Sequence, residues 1–245
     1  MKIRADQLVV QQGLCASRAL AQRLIDEAQV LLPDGTLVRK PGQQLDDATT
    51  LALAATPQYV SRGAGKLLAA IEAFHPELSG VTALDLGAST GGFTDVLLQH
   101  GAAKVFAVDV GHGQLHEKLR HDPRVVSLEG VNARDLNATM LPEPIDVLVA
   151  DVSFISLTKV LPPCATFLKP RAWAIVLVKP QFEAGRRDVG SGGVVRDETV
   201  RQRCLDNIIS FAQNTLKWEL VGTVPSPVLG PNGNQEFLAA FQTTT

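Results

Sequence analysis

The stretch Leu84-Asp85-Leu86-Gly87-Ala88-Ser89-Thr90-Gly91-Gly92-Phe93 constrains this chain more than any other. The apolar run from Val81 to Leu86 reads as a buried strand, and Phe93 to Gln99 reads as the start of a helix. The turn between them carries Gly87, Gly91 and Gly92, where no side chain holds backbone N–H groups away from a ligand. Strand, glycine-rich turn and helix N-terminus together build a nucleotide crevice at the carboxyl edge of an open α/β sheet. A second acid, Asp109, closes the next apolar run, Val105 to Val108, and lies 22 residues after Gly87. That is close to the offset of about 20 residues at which such an acid reaches a ribose diol.

Three chemistries use such a turn. A dinucleotide site calls for Gly-x-Gly-x-x-Gly, and Ser89 stands at the middle glycine, which disfavours a pyrophosphate. A hydrolase elbow calls for Gly-x-Ser-x-Gly, which Gly87 to Gly91 matches literally, but it also needs a late histidine. The histidines are His75, His100, His112, His116 and His121, none in the second half of the chain. S-adenosylmethionine fits best, because it needs a ribose acid and a close backbone but no phosphate cradle.

Further strand-like runs, Val125–Leu128, Ile145–Ala150 and Ala172–Val178, alternate with helical stretches, which argues for a doubly wound, mostly parallel sheet. Two of them end in polar residues where a site should lie: Ala150-Asp151-Val152-Ser153-Phe154 and Val178-Lys179-Pro180-Gln181-Phe182. Asn132, in the turn after the third strand, is placed to frame an adenine, or is an ordinary turn residue. Pro180 to Arg196 has little hydrophobic periodicity and reads as a substrate-facing lid. Asp197–Leu216 reads as a helix, and Trp218–Val224 and Glu236–Phe241 complete the sheet. Lys66 opens a helix at the end where its charge opposes the dipole, and Glu236 opens an apolar strand. Singly, these two read as well as solvent-facing charges as they do as site groups.

The chain's 245 residues suffice for a large domain and a small one, and 45% hydrophobic residues supply a sizeable core. A net charge of −2 means that any nucleic-acid partner must be held by a local patch. Three cysteines without metal-ligand spacing read as reduced thiols of a cytoplasmic protein, and the longest apolar run, Ala172 to Val178, is too short to span a bilayer. A soluble, cytoplasmic monomer is expected, with no metal and no membrane partner.

Before residue 57, Ala5–Gln12 and Ser17–Ala28 read as two short helices. Val30–Leu32 and Thr36–Val38 read as a hairpin around Pro33-Asp34-Gly35, with a later strand at Leu51–Leu53. The pattern Arg4-x-Asp6-x-Leu8, Gly13-Leu14, Ser17-Arg18-x3-Gln22-x-Leu24-Ile25, Val30 and Asp34-Gly35 resembles the RNA-binding module named after small-subunit ribosomal protein four. The module is neutral here, with Lys2, Arg4, Arg18, Arg23, Arg39 and Lys40 against six acids, so RNA binding requires those cations to share a face. A small α+β RNA-binding domain is thus expected over 1–56, a linker over 57–60, and the sheet domain over 61–245.

Lys66, Asp151, Lys179 and Glu236 gain meaning when taken together. With the glycine turn they resemble the Lys-Asp-Lys-Glu tetrad of 2′-O-ribose methyltransferases of the FtsJ/RrmJ type. The flanking blocks are more specific: Tyr59–Leu67, Asp85–Thr94, Asp109-Val110-Gly111-x-Gly113-Gln114-Leu115, Asp151-x-Ser153-Phe154-Ile155-Ser156, Val178–Glu183, Val189–Val195 and Pro227–Glu236. Over essentially the whole chain these are similar to the TlyA family, which pairs that N-terminal module with a Rossmann-like ribose methyltransferase domain. The linker departs from the Arg-x-Trp-Val of some members of the family, with Pro57-Gln58-Tyr59-Val60 in its place.

The resemblance implies methyl transfer from S-adenosyl-L-methionine to a ribose 2′-hydroxyl of ribosomal RNA, at a cytidine, free or in an assembled subunit. The tetrad would be catalytic. Asp85, Gly87, Ala88, Ser89, Gly91, Gly92, Phe93, Asp109, Val110, Asn132 and Asp151 would hold the cofactor. Arg4, Arg18, Arg23, Lys40, Arg62, Arg186 and Arg187 would meet RNA. The competing classes are an RNA-binding protein without activity and a membrane-active haemolysin, the latter a label the family also carries. An exocyclic-nitrogen methyltransferase is disfavoured, since Asp151-Val152-Ser153-Phe154 lacks the two prolines such enzymes place there.

Overall fold

The computed structural model describes residues 2–26, 29–53 and 58–244. The chain divides into two compact units, Met1–Gln58 and Tyr59–Thr245. Pro57 of the expected linker and Ala28 at the expected end of the second helix lie outside the described residues.

The first unit comprises β1 (Lys2–Arg4), α1 (Ala5–Gln11), α2 (Arg18–Asp26), β2 (Val30–Leu31), β3 (Gln44–Asp46) and β4 (Ala52–Leu53). Leu8 and Val9 of α1, Ala21 and Ile25 of α2, and Val30 form its core with Val38, Leu45 and Leu51. Asp6 is buried among them and stays charged by pairing. Its Oδ2 accepts from Arg4 Nη2, Arg18 Nε and Gln22 Nε2, each at 2.9 Å. The Arg4 guanidinium holds this carboxyl well below the usual carboxylate range.

Two features differ from the sequence expectation. The hairpin around Pro33-Asp34-Gly35 closes, with Leu32 N–H donating to Thr36 O at 2.7 Å, but its pairing stops at a single Leu31–Leu37 bridge. Asp34 Oδ1 takes both the N–H and the hydroxyl of Thr36, which tightens the turn, and β2 pairs instead with β4. The β1–β3 pair, Lys2–Arg4 against Gln44–Asp46, is unforeseen, because three residues are too few to display a period.

The second unit begins with α3 (Ala64–Phe74), β5 (Thr82–Leu86), α4 (Gly92–Gln99), β6 (Lys104–Asp109), α5 (Glu117–Arg120) and β7 (Val125–Glu129). It continues with β8 (Ile145–Ala150), α6 (Leu157–Ala165), β9 (Leu168–Val178), α7 (Pro180–Glu183), α8 (Glu198–Asn214), β10 (Glu219–Pro225) and β11 (Phe237–Gln242). The seven strands lie in the order β10-β11-β9-β8-β5-β6-β7, with β11 antiparallel to both its neighbours and the remaining pairs parallel. This is a doubly wound α/β sheet of Rossmann-like form. Alternate residues feed two cores on opposite faces: Leu84, Phe106, Leu148 and Val176 on one, Ala83, Val105, Val149 and Ile175 on the other. Burial of both faces is why these strands read as unbroken apolar runs. No described helix is long and apolar enough to cross a membrane.

The chain moves from β5 outward through β6 and β7, then returns to β8 on the other side. The carboxyl ends of β5 and β8 therefore flank the reversal point where open α/β sheets bind ligands.

The 180–196 stretch is more structured than its pattern suggests. It opens with the turn of α7 and closes on a Gly190–Val194 bridge, with Val195 buried. Buried Asn234 stitches it down: Oδ1 accepts from Val195 N–H at 3.0 Å, while Nδ2 donates to Gly193 O at 2.9 Å and to Pro231 O at 3.0 Å. Asn234→Ala leaves the buried Val195 N–H without its partner, an expected loss of about 2 kcal/mol in urea unfolding. The Val195 amide should also lose protection in hydrogen exchange.

Candidate active site

The sheet register assembles the tetrad. Leu86 pairs with Ala150 and Ala150 with Val176, while Val178 pairs with Phe237 on the antiparallel strand. Asp151 and Lys179 each follow the last residue of a parallel strand, and Glu236 precedes the first residue of the antiparallel one. Three adjacent strands thus deliver two acids and a lysine to one edge, and the first turn of α3 supplies Lys66 across it.

Lys66 Nζ lies 2.7 Å from Glu236 Oε2 and 3.7 Å from Asp151 Oδ2, and Lys179 Nζ lies 2.5 Å from Asp151 Oδ1 and donates to Ser153 Oγ at 2.9 Å. Glu236 is fully buried, both lysines are nearly so, and the Asp151 side chain is 22% exposed, so the group opens to solvent along Asp151. Two cations and two anions sum to zero, which is what allows four charges to be buried together. An ammonium has three N–H donors. Those of Lys179 toward Asp151 and Ser153 leave one for an incoming oxygen.

Beside the tetrad the glycine turn approaches the β8 end closely. A Cβ on Gly87, whose φ is +79°, would sit 2.6 Å from the Asp151 carbonyl oxygen. Gly91, at φ +93°, is needed for a different reason: its side is filled by Leu119 and Leu115, so it packs against α5 rather than lining the cleft. Gly87, Ser89, Asp109, Val110, Asn132, Asp151 and Phe154 are among the residues lining a cleft of about 460 Å³. Ala88, Gly92, Phe93, Lys66 and Lys179 line an adjoining hollow of about 250 Å³, which shares Gly87, Ser89, Asp151 and Ser153 with the first.

The acids of the turn have distinct surroundings. Asp109 clamps its own loop, accepting Ser89 N–H at 2.8 Å and Gly111 N–H at 2.7 Å. Asn132 caps the short turn that follows it through Oδ1, which accepts Arg134 N–H at 3.0 Å. Asp85 is fully buried. Its Oδ2 accepts the Thr94 hydroxyl at 2.6 Å, and its Oδ1 has no protein partner. Burial, reinforced by the nearby Asp151 charge and opposed by the Thr94 bond, pushes Asp85 up to about 7.

The basic candidates do not converge as the tetrad does. Arg4 and Arg18 meet at Asp6 in the first unit, where Arg23 and Lys40 are exposed on α2 and on the 38–43 loop. In the second unit Arg62 is exposed just before α3, and Arg186 and Arg187 are exposed after α7. Sequence reasoning missed Ser153 and Gln181 as members of the tetrad's surroundings. Both lie inside quoted motif blocks, but a neutral side chain two residues from a charged one carries no signal of its own. Among the described residues, no cluster of His, Cys, Asp and Glu is placed to hold a metal ion.

The model of the FtsJ-like methyltransferase family matches residues 59–243. The chain belongs to that family. It is 46% identical, over 100% of its own length and 91% of the relative's, to the 16S/23S rRNA (cytidine-2′-O)-methyltransferase TlyA of Mycobacterium tuberculosis. Hemolysin A of Brachyspira hyodysenteriae is 43% identical over 98% of this chain and 99% of its own. A solved structure of a candidate hemolysin from Streptococcus thermophilus superposes with a TM-score of 0.77 at 41% identity, covering 99% of this chain and 89% of that one. The second unit of this FtsJ-like protein is therefore a methyltransferase domain.

Glu236 in this domain is hemmed in by backbone. A Cβ on Gly230 would lie 2.2 Å from its Oε1 and 2.6 Å from its Cδ. Gly230→Ala should therefore cost about 1–3 kcal/mol in chemical denaturation, as overpacking does. Unchanged stability would mean that Glu236 swings aside freely.

Proposed function

We propose that this protein transfers a methyl group from S-adenosyl-L-methionine to a ribose 2′-hydroxyl of ribosomal RNA, with a cytidine as target. The observation that carries the reading is the unbroken run of contacts Glu236–Lys66–Asp151–Lys179 at the mouth of the glycine turn. Family membership and the substrate named for the Mycobacterium tuberculosis relative support it.

The residues present fit the cofactor. The Gly87 cradle against Asp151 and the Asp109–Val110 end of β6 bound a cleft that welcomes a cation and a ribose. Asp85, buried two residues before Gly87 with its Oδ1 unpartnered, lies outside the lining and acts on it only through charge. Gly87, Ala88, Ser89, Gly92 and Phe93 would bound its methionine part, and Asp109, Val110 and Asn132 its adenosine. When bound, it supplies a methyl carbon on a sulfonium, an electrophile that already has a good leaving group. The protein's own work is then alignment and proton handling. Lys179 would hold the 2′-oxygen with its remaining N–H and stabilise the charge developing there. The hydroxyl proton would pass to the Asp151 carboxylate, since the Lys179 ammonium has no lone pair to take it. Glu236 keeps Lys66 in place, and Lys66 steadies Asp151 from the side opposite Lys179.

The first unit would supply RNA affinity. Asp6 fixes the guanidinium groups of Arg4 and Arg18 side by side, while each keeps N–H donors for phosphate. Arg23 and Lys40, with Arg62, Arg186 and Arg187 of the second unit, would extend the contact. The site of modification lies in rRNA, free or within an assembled subunit, and the protein acts as a cytoplasmic monomer.

Labelled S-adenosylmethionine incubated with separated ribosomal subunits and with naked rRNA tests the reading. Wild type should protect one ribose from alkaline cleavage, and Lys179→Ala should lose at least about a hundredfold in rate. Equal transfer by Lys179→Ala would sink the assignment.

Asp85 adds a pH dependence. A cationic ligand binds the ionised carboxylate better, so cofactor affinity should rise with pH and level off above about 7. Asp85→Asn should bind more weakly and without that slope, as calorimetry at several pH values would show. Without ligand the sign reverses. A carboxyl raised by folding favours the folded state fully below its unfolded value near 3.8, and that contribution is lost as pH rises through about 7.

A further inference from the structure

Gln181, on the single turn of α7, touches the tetrad from behind. Its Nε2 donates to Glu236 Oε1 at 2.9 Å, while Lys66 Nζ holds Glu236 Oε2 at 2.7 Å. The buried carboxylate is thus gripped at both oxygens, by a cation on one side and an amide on the other. The amide orientation follows from chemistry: reversed, Gln181 would set its carbonyl oxygen against a carboxylate oxygen. In this orientation Gln181 Oε1 is buried and has no partner among the described residues. An amide that leaves its own acceptor unsatisfied is a poor choice for packing alone, and such local costs collect at functional sites. Gln181 does not line the hollow that holds Lys66 and Lys179, so it reaches the reaction only through Glu236.

We propose that Gln181 is a positioning residue of the methyl-transfer site, a fifth member that fixes the rotamer of Glu236 and through it the position of Lys66. The proposal rests on the ribose methyltransferase reading above. It differs from a packing role in what it predicts. A carboxylate held only by Lys66 can turn about its last torsion and draw the ammonium with it, disturbing Asp151 and hence Lys179. Phe182 and Glu183, on the same turn, hold the other side of the site. Phe182 packs against Phe154 with the rings tilted at 49° and centroids 5.0 Å apart, and Glu183 accepts the Ser156 hydroxyl at 2.6 Å and Leu157 N–H at 2.8 Å. A helix of four residues thereby ties the loop after β8 to the strand edge at β11.

The test compares wild type, Gln181→Leu, Glu236→Gln and the double variant, with Lys179→Ala as the control for the reaction itself. Gln181→Leu should lower kcat on the order of tenfold or more, with KM for RNA and the calorimetric Kd for S-adenosylmethionine unchanged. In the double variant the loss should equal that of Glu236→Gln alone, because a residue acting through Glu236 has nothing left to position. Full kcat in Gln181→Leu, a loss shared between Kd and kcat, or a double variant that multiplies the two single losses would overturn the proposal. Should wild type transfer no methyl to any RNA, the reading of function fails on its own and Gln181 is judged by geometry. Crystal structures of wild type and Gln181→Leu then decide it: an opened Lys66–Glu236 contact in the variant sustains the proposal, and a contact kept near 2.7 Å refutes it.

Discussion

Glu236 is the group on which the second unit's edge depends. A carboxylate with no solvent exposure cannot be tolerated alone, and its cation comes from 170 residues earlier in the chain. That one ion pair joins the first turn of α3 to the last strand of the sheet. It accounts for a lysine at a helix N-terminus, where the macrodipole is unfavourable, since a buried acid outweighs a partial charge of about half a unit. It also accounts for Gly230, the one residue type that leaves room for the carboxylate.

Much of this edge was legible in the sequence because the strands are buried on both faces. Runs such as Ile145–Ala150 and Val105–Val108 announce themselves, and the polar residue that ends each one marks the edge where ligands bind. What could not be read was adjacency. Nothing local indicates that Phe237–Gln242 inserts antiparallel beside Leu168–Val178, yet that pairing brings Glu236 to Gln181. The same limit explains the small unit. Strands of three residues, such as Lys2–Arg4 and Gln44–Asp46, are formed by tertiary pairing and have no periodicity of their own. Asp109 shows a further gap: its spacing from Gly87 marks it as a ligand acid, but only the folded structure shows that both its oxygens also hold the turn closed.

The cleft is lined by acids alone among its charged groups and the hollow beside it by two lysines with Asp151, and this difference shapes the chemistry proposed for them. Asp109 and Asp151 are the charged residues of the larger cleft, with Asp85 buried next to the turn, so it favours a cation. The smaller hollow holds Lys66 and Lys179, so it favours an oxygen that is gaining negative charge. Gly87, Ser89, Asp151 and Ser153 belong to both walls. A reaction that moves a positively charged alkyl group onto a neutral hydroxyl needs this juxtaposition, with donor and acceptor oxygen meeting across the shared wall. Asp151 is the pivot, because it contributes negative charge to the cation side while orienting the lysine on the other. The tetrad's neutrality then has a kinetic meaning as well as a structural one. A site carrying net positive charge would repel a sulfonium, and one carrying net negative charge would oppose ionisation of the attacking oxygen. Two lysines balanced by two acids avoid both penalties.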